Sequence, residues 1–359
     1  MTRLGDMFTI TSGGTPDKKK SSYYTNGTIP WVKTGDLKSQ YVAEGVECIT
    51  EDGLNNSSAK LFPPQTVLLA MYGATIGACS SLPYEASTNQ ACAAFLPNEN
   101  ILPTYLYYFL LSKKDQFVSD GVGGAQPNIS AGYLKKVQFD LISLQQQEAI
   151  VAKLDKVENL IALRKELLAK LDQLVNARFV EMFGDYIIND KGFACKKGYE
   201  LFKFSSGKFL PEEKRLAKGV PVYGGNGIAW YTHESLINYP TVIIGRVGAQ
   251  CGNIHAVTTP VWVTDNAIYI KEQKTTAYTL EFLTELMRMM DFSQYADFSG
   301  QPKITQKPLE NMEYIIPPIE FQREFTVFVE QTKKTKLTIQ SSLDKLELLK
   351  KSLMQQYFG

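Results

Sequence analysis

The residues that recur at equivalent positions of this chain are suited to hydrogen bonding and not to bond making. Residues 66–77 align with residues 241–252, and residues 125–130 align with residues 300–305. The shared positions hold Gly, Gln, Pro and either Ser or Thr, near a short apolar run. Glycines let a backbone approach a partner closely, while amide and hydroxyl side chains donate and accept hydrogen bonds. The repeated chemistry is therefore that of a scaffold with recognition groups.

Groups that an enzyme of a known type would need are missing from the sequence. Neither histidine is duplicated, since the position of His255 in the second copy is Ser80 in the first. The five cysteines include no Cys-x-x-Cys pair, which excludes a zinc finger and argues against a disulfide scaffold. There is no phosphate-binding loop, and residues 315–319 lack the amide before the prolines that an amino-methyltransferase motif requires. The sequence predicts a chain that is not an enzyme and that holds no metal or cofactor.

Length and composition bound the class of protein. The 359 residues suit two domains better than one, and 44% hydrophobic residues are enough for real cores, which excludes disorder. No apolar run approaches the roughly 20 residues of a membrane span, so we expect a cytoplasmic protein with no membrane partner. Lys and Arg number 38 against 37 Asp and Glu, a net charge of +1, whereas a protein that binds nucleic acid unaided usually has a clear basic excess.

The aligned segments belong to a duplication of nearly the whole chain. The offset, from Thr66 to Thr241, is about 175 residues, and both copies end in Phe-Gly, at 183–184 and 358–359. Each copy begins with short apolar runs between Gly and Pro turns, which are typical of short strands with long loops. The helical patches are at 103–113 and 278–290. The predicted fold is α+β, with two β-rich mixed domains, 1–145 and 185–319, in a pseudo-two-fold arrangement.

Each copy ends in a long helix, predicted at 146–184 and 320–359, and these helices separate the domains. Apolar residues recur at steps of 3 and 4, interrupted in the first helix where Arg164 and Arg178 fall on the seam. About 38 residues at 1.5 Å per residue would span roughly 55 Å, so each seam needs a partner. A seam could pack on its own domain, but we expect the helices to pair antiparallel as a coiled coil and to dock a partner through extra leucines beside the seam. The predicted pairing and docking residues are Ile150, Leu154, Val157, Ile161, Leu168, Leu171, Phe325, Val329, Ile339, Leu343, Leu346 and Leu353.

Several segments together resemble the specificity (S) subunits of type I restriction-modification enzymes. They are residues 4–16, 27–36, 220–227, the paired segments around Gly73 and Gly248, residues 262–267, residues 300–302, and the helices after Gln147 and Gln322. The resemblance covers the whole chain, and the order and duplication of the motifs make it specific.

The resemblance implies a non-catalytic subunit that recognises double-stranded DNA. Each domain would be a target recognition domain for one half of a bipartite target, and the helices would set the gap between the halves and dock two modification subunits. Those partners bring S-adenosylmethionine and methylate adenine, and restriction or motor subunits can add cleavage that depends on ATP and Mg. No cofactor is implied for this chain. Partners that clamp the duplex would also account for its near-neutral charge.

Direct readout of DNA needs Arg, Lys, Asn or Gln at groove edges, with Lys, Arg and small polar groups on phosphates. The candidates in the first domain are Lys18, Lys19, Lys20, Tyr23, Lys33, Thr34, Tyr72, Gln126, Asn128 and Ser130. Those in the second domain are Lys208, Lys214, Arg215, Tyr223, Asn226, Arg246, Gln301, Lys303 and Thr305. Alternatives stay open, because the lysine triplet is compatible with a solvated turn, Tyr72 with core packing, and Arg246 with a structural ion pair.

A second class of function fits part of the sequence. A structural adaptor, with two protein-binding domains on a coiled-coil spacer and no DNA role, would suit the charge balance. It gives no account of the duplicated motifs or of the place of the helices. The sequence therefore predicts a DNA-specificity subunit, with the adaptor as the alternative.

Overall fold

The computed structural model describes residues 2–122 and 128–359, and its internal contacts divide the chain into two compact units. Unit 1 runs to Leu163 and adds Leu343–Gly359, while unit 2 is Arg164–Ser342. Each unit therefore takes part of both long helices. The sequence treats those helices as segments of their own, and its boundaries at 145, 184 and 319 stay a prediction. In the described part of the chain, no helix is both long enough and apolar enough to cross a membrane.

Unit 1 consists of short strands and small helices joined by long loops. Its strands are β1 (Thr2–Arg3), β2 (Ile10–Ser12), β3 (Ile29–Val32), β4 (Cys48–Ile49), β5 (Leu61–Phe62), β6 (Val67–Ala70), β7 (Cys79–Ser81), β8 (Ala86–Thr88), β9 (Cys92–Phe95) and β10 (Gln138–Phe139). Its helices are α1 (Leu4–Met7), α2 (Glu51–Asn55), α3 (Pro103–Ser112), α4 (Lys114–Ser119), α5 (Ala131–Lys136) and the first half of α6 (Leu144–Phe183). The helical patch predicted at 103–113 is α3.

The strands of unit 1 form one two-stranded and two four-stranded sheets. β1 pairs with β10, and the larger sheets have the orders β2-β9-β6-β7 and β4-β3-β8-β5, with β3 and β8 parallel. All four residues of β6 are buried, because the sheet is covered on both faces. Val67 and Leu69 face a core formed with α3, whereas Leu68 and Ala70 face a core formed with the second sheet. This explains why the strand is a continuous apolar run.

Unit 2 repeats most of these elements in the same order, without a counterpart of α2 or β5. Its strands are β11 (Ala194–Lys197), β12 (Phe202–Ser206), β13 (Val220–Gly224), β14 (Gly227–Thr232), β15 (Thr241–Gly245), β16 (Ile254–Val257), β17 (Trp262–Val263), β18 (Ala267–Gln273) and β19 (Glu313–Ile316). Its helices are α7 (Gly198–Leu201), α8 (Leu280–Met289), α9 (Gln306–Asn311) and most of α10 (Ile319–Phe358), besides the second half of α6.

The sheets of unit 2 repeat those of unit 1, except that the second sheet has three strands and no counterpart of β5. β11 pairs with β19, and the other sheets have the orders β12-β18-β15-β16 and β14-β13-β17, with β13 and β17 parallel. The central β15 takes the place of β6. Val242 and Ile244 face the core formed with α8, and Ile243 faces the second core. The repeated sequence thus folds into a repeated topology, and the prediction of two mixed α+β units is confirmed.

One buried glutamine near the start of each long helix ties that helix to its unit. The side chain of Gln147 accepts a hydrogen bond from the nitrogen of Leu102 and donates to the oxygens of Asn100 and Ile142, each at 2.9 Å. Gln322 has the same three kinds of partner, the nitrogen of Thr279 (3.0 Å) and the oxygens of Ala277 (2.7 Å) and Pro317 (2.8 Å). The repeated glutamine is therefore structural, since it pairs backbone groups that have no secondary-structure partner.

Within each unit, α6 and α10 lie side by side. The contacts of unit 1 join Lys153 to Tyr357 and Glu158 to Lys350. Those of unit 2 join Arg164 to Ser342, Asp172 to Lys336 and Arg178 to Glu324. In both units, later residues of α6 contact earlier residues of α10. The prediction of antiparallel pairing is confirmed, and the two arginines on the seam are bound by polar groups of the partner helix.

The predicted seam residues fall into two classes of burial. Leu154, Val157, Ile161, Phe325, Val329, Ile339 and Leu343 are buried, and Ile150, Leu168, Leu171, Leu346 and Leu353 are half-buried. Leu154 belongs to the main core of unit 1, and Phe325 and Val329 belong to that of unit 2. The alternative that a seam packs on its own domain therefore holds for these three residues.

Candidate functional site

Three loops of unit 2 meet beside the end of β15. They are the turn between β13 and β14, the turn 246–253 and the segment 300–305. The nitrogen of Ile304 donates to the oxygen of Arg246 at 2.9 Å. A Cβ placed on Gly225 would lie 2.7 Å from the oxygen of Val247, so the first loop needs glycine to approach the second. The predicted residues carried by these three loops are Asn226, Arg246, Gln301, Lys303 and Thr305.

Arg246 is held by its neighbours through backbone groups. Its nitrogen donates to the oxygen of Asn266 at 2.9 Å, and its guanidinium Nη1 donates to the oxygen of Asp265 at 3.2 Å. Among the described residues it forms no ion pair with a carboxylate, which argues against the ion-pair alternative. A half-exposed guanidinium with unused N–H groups can bind a base edge or a phosphate.

Two side chains that the sequence did not single out join this cluster. Asn253 Nδ2 donates to Gln250 Oε1 at 2.9 Å and to Asn226 Oδ1 at 3.2 Å. Gln250 and Asn253 occupy the positions of Thr75 and Ala78 in the first copy. The signal that selected Arg246 would also have found them, because each is a longer polar residue at a matched position.

Two of the remaining basic residues predicted in unit 2 form ion pairs. Lys214 pairs with Glu234 at 2.7 Å, and Arg215 pairs with Glu212 at 3.1 Å. The guanidinium of Arg215 also lies over the ring of Trp230, 4.1 Å from its centroid. The Lys214–Glu234 pair is exposed, and exposed ion pairs contribute about 1 kcal/mol or less, so Lys214 can exchange partners. Lys208 and Thr305 are exposed, and Tyr223 is half-buried.

The corresponding loops of unit 1 meet in the same way. The nitrogen of Ile129 donates to the oxygen of Met71 at 3.0 Å, and Tyr72 and Asn128 lie opposite each other as an isolated bridge. Tyr72 is 44% exposed and Asn128 is exposed, whereas Met71 is buried. The structure therefore brings two predicted residues together on this surface. The predicted Gln126 lies outside the described residues.

The lysine triplet of unit 1 lies on a separate loop. Lys18 and Lys19 are exposed, and Lys20 Nζ donates to the hydroxyl of Tyr23 at 3.0 Å. That hydrogen bond raises the pKa of Lys20, so its charge is retained. The side chain of Tyr23 is only 5% exposed, which leaves its ring unable to stack on a base. In this structure Tyr23 positions Lys20.

Three further predicted residues of unit 1 already have local roles. Lys33 Nζ pairs with Glu47 at 2.7 Å, and this bond raises the pKa of Lys33. Thr34 is half-buried in the short 3-10 turn that follows β3. Ser130 Oγ accepts from the nitrogen of Tyr133 at 3.0 Å and caps α5. A DNA contact by Ser130 would compete with this cap.

The side chains that the loop clusters present are hydrogen-bonding groups. No three His, Cys, Asp or Glu side chains within 2–122 and 128–359 are grouped so as to hold a metal ion. Burial raises the pKa of Cys79 and of Cys92 to about 12, so both stay thiols at neutral pH. What the loops present are amide, guanidinium and ammonium groups on a fixed backbone.

Known proteins are similar to this chain over nearly its whole length. A family model described as the type I restriction modification DNA specificity domain matches residues 1–173 and 177–348. The type I restriction enzyme EcoprrI specificity subunit of Escherichia coli is 25% identical over 347 residues, which cover 89% of this chain and 84% of that subunit. The MjaIX specificity subunit of Methanocaldococcus jannaschii is 24% identical over 369 residues, covering 91% and 85%. The crystal structure of an S subunit from M. genitalium shares the fold, with a TM-score of 0.62 and 17% identity over 99% of this chain and 95% of that one.

Proposed function

The chain belongs to the type I restriction modification DNA specificity domain family, and from that premise we propose that each unit reads one half of a bipartite DNA target for a type I restriction-modification complex. The predicted family, and the prediction of a specificity subunit that is not itself an enzyme, are confirmed by this membership. The observation that carries the proposal is the loop cluster that occurs in both units with the same backbone links and different side chains. Two different half-sites require this combination.

Each unit presents its own set of groups to the DNA. In unit 2 these are Arg246, Gln301 and Lys303, and in unit 1 they are Tyr72 and Asn128, with Lys18 to Lys20 on phosphates. Guanidinium and amide groups read base edges, whereas lysines mainly bind the backbone. The two halves of the target therefore differ in sequence.

The paired helices set the spacer between the half-sites and dock the two modification subunits. Support comes from apolar side chains of α6 and α10 that the helix pairing leaves at the surface. Leu163 is 55% exposed, Leu348 is 68% exposed and Leu337 is 72% exposed. Exposed apolar stripes of this kind usually mark a protein interface.

The partners supply the chemistry and much of the charge. The modification subunits bring S-adenosylmethionine and methylate adenine, and restriction or motor subunits add ATP- and Mg-dependent steps. A net charge of +1 suits a subunit that shares the duplex with partners, because they provide the remaining phosphate contacts. The complex works in the cytoplasm, where its DNA is.

Methylome sequencing tests this function directly. In cells that hold the modification subunits and this gene, we expect adenine methylation at one split and asymmetric motif. Deleting the gene should remove that methylation entirely. Exchanging residues 1–145 for the same region of a relative should change one half of the motif and keep the other.

Two results would contradict the proposal. One is a methylome that does not change on deletion while the modification subunits are present, as a structural adaptor without a DNA role would give. The other is a purified chain that methylates DNA alone with S-adenosylmethionine, since the proposal assigns the transfer to the partners.

A further inference from the structure

Three amide side chains beside the turn of unit 2 form a linear hydrogen-bond network. Asn253 is its middle member, since both hydrogens of its Nδ2 are used, one toward Gln250 Oε1 and one toward Asn226 Oδ1. Gln250 and Asn226 are exposed, and Asn253 is half-buried. The network therefore reaches the surface at both ends and has a fixed order.

The backbone holds these amides in place before any ligand arrives. The nitrogen of Asn253 donates to the oxygen of Gln250 at 3.2 Å, and the oxygen of Asn253 accepts from Gly245 at the end of β15 at 2.8 Å. The turn that carries Asn226 packs closely against the same strand. A Cβ on Gly245 would lie only 2.2 Å from the oxygen of Gly225, so the two backbones are in direct contact. Such preorganised groups lose little conformational entropy on binding.

One polar group of each amide is left without a partner among the described residues. These groups are Nδ2 of Asn226, Oδ1 of Asn253 and Nε2 of Gln250. In the bonding order of the network, Asn253 is the middle amide and keeps one free acceptor, and each outer amide keeps one free donor.

We propose that this amide network reads one A·T base pair in the major groove. The major-groove edge of A·T presents an acceptor at adenine N7, a donor at N6 and an acceptor at thymine O4, which complements donor, acceptor and donor. The edge of G·C presents acceptor, acceptor and donor, so one of the flanking amide donors would face a donor there. The inference rests on the proposed function and names one base pair within the half-site of unit 2.

The amide network occurs in unit 2 and not in unit 1. The first copy has Thr75 and Ala78 where the second has Gln250 and Asn253, so unit 1 cannot build the network. The A·T pair read in this way belongs to one half of the target only.

Isosteric variants test the assignment in the complex with its modification subunits. Gln250→Glu and Asn226→Asp each replace a donor by oxygen and keep the oxygen that binds Asn253. We expect either change to weaken binding to the cognate duplex about tenfold and to relax the methylated motif at a single A·T position. Gln273→Glu, an exposed amide of the same unit outside the loop cluster, is the matched control and should leave both unchanged.

A base analogue gives a second readout that needs no protein variant. Replacing each adenine of the target in turn by 7-deazaadenine removes N7, and one position in one half-site should weaken wild-type binding about tenfold. The same analogue should cause no further loss with whichever of the two variants lacks the donor to N7.

The outcomes separate this inference from the proposed function. If the variants leave the motif unchanged, relax a G·C position, or act in both half-sites, the amide assignment is wrong while the subunit still specifies methylation. The same holds if no adenine analogue weakens wild-type binding. If the wild-type complex methylates no split motif at all, the proposed function fails first.

Discussion

The turn 71–78 of unit 1 and the turn 246–253 of unit 2 share a backbone conformation but carry different side chains. Gly77 and Gly252 both have positive φ, +78° and +92°, and each donates to the last residue of the preceding strand, at 3.0 Å and 2.8 Å. The side chains differ, since Met71 is buried in a core while the matched Arg246 lies half-exposed. Backbone hydrogen bonds and glycines maintain the turn, which leaves the other positions free to vary with the partner.

The largest predicted effect is a loss of folding stability that should be the same in both units. It tests whether the two buried glutamines have the same role. Gln147→Leu and Gln322→Leu each remove the hydrogen-bond partner of one backbone N–H and two carbonyl oxygens. We expect each change to lower the free energy of unfolding by about 3 kcal/mol. Urea unfolding measures it, with the exposed Gln145→Leu as a control that should change stability by less than about 0.5 kcal/mol. A loss in one unit only would show that the two glutamines do not share a role.

The next predicted effects concern DNA affinity and folding stability, and they should differ between the two turns. Arg246→Ala should weaken DNA binding by the assembled complex by about 2 kcal/mol without changing stability, because the guanidinium is half-exposed and has no carboxylate partner among the described residues. Met71→Ala should do the opposite, with a loss of about 2 kcal/mol in unfolding free energy and little change in affinity. Titration of DNA and urea unfolding of the same two preparations measure both quantities. Equal effects on affinity would remove the contrast between the turns.

The smallest effect concerns a histidine that only unit 2 has. His255 Nε2 is buried without a hydrogen-bond partner, and burial, with a smaller contribution from Arg288, lowers its pKa from the ordinary 6.5. Below that ordinary value the unfolded chain binds the proton more readily than the folded one, so stability falls as pH drops through this window. His255→Ser places the matched residue of unit 1, Ser80, at this position. We expect the urea concentration at the unfolding midpoint to fall less in this variant than in the wild type when the pH is lowered from about 7.5 to 5.5. An unchanged pH dependence would mean that His255 does not titrate in this range.

Sequence patterns predicted the elements well and the site only in part. The runs around residues 103–113 and 278–290 are helices α3 and α8, and both long helices formed where the apolar period indicated. The predicted Arg246, Gln301 and Lys303 lie on loops that the structure brings together. Tyr23 was predicted on the DNA surface, yet its side chain is buried. The sequence could not show this, because a tyrosine in a polar loop gives no sign of which way its ring points.

The sequence by itself determined the duplicated plan, the paired helices and the family, because periodicity and repeated motifs are properties of chain order. The tertiary structure decided which side chains meet. Gln147 binds backbone groups 45 and 47 residues away, and Asn253 binds Asn226 across 27 residues. Partners at such distances are chosen by how strands and loops pack, and no local pattern records that choice. For this reason the A·T-reading network became visible only in the folded chain.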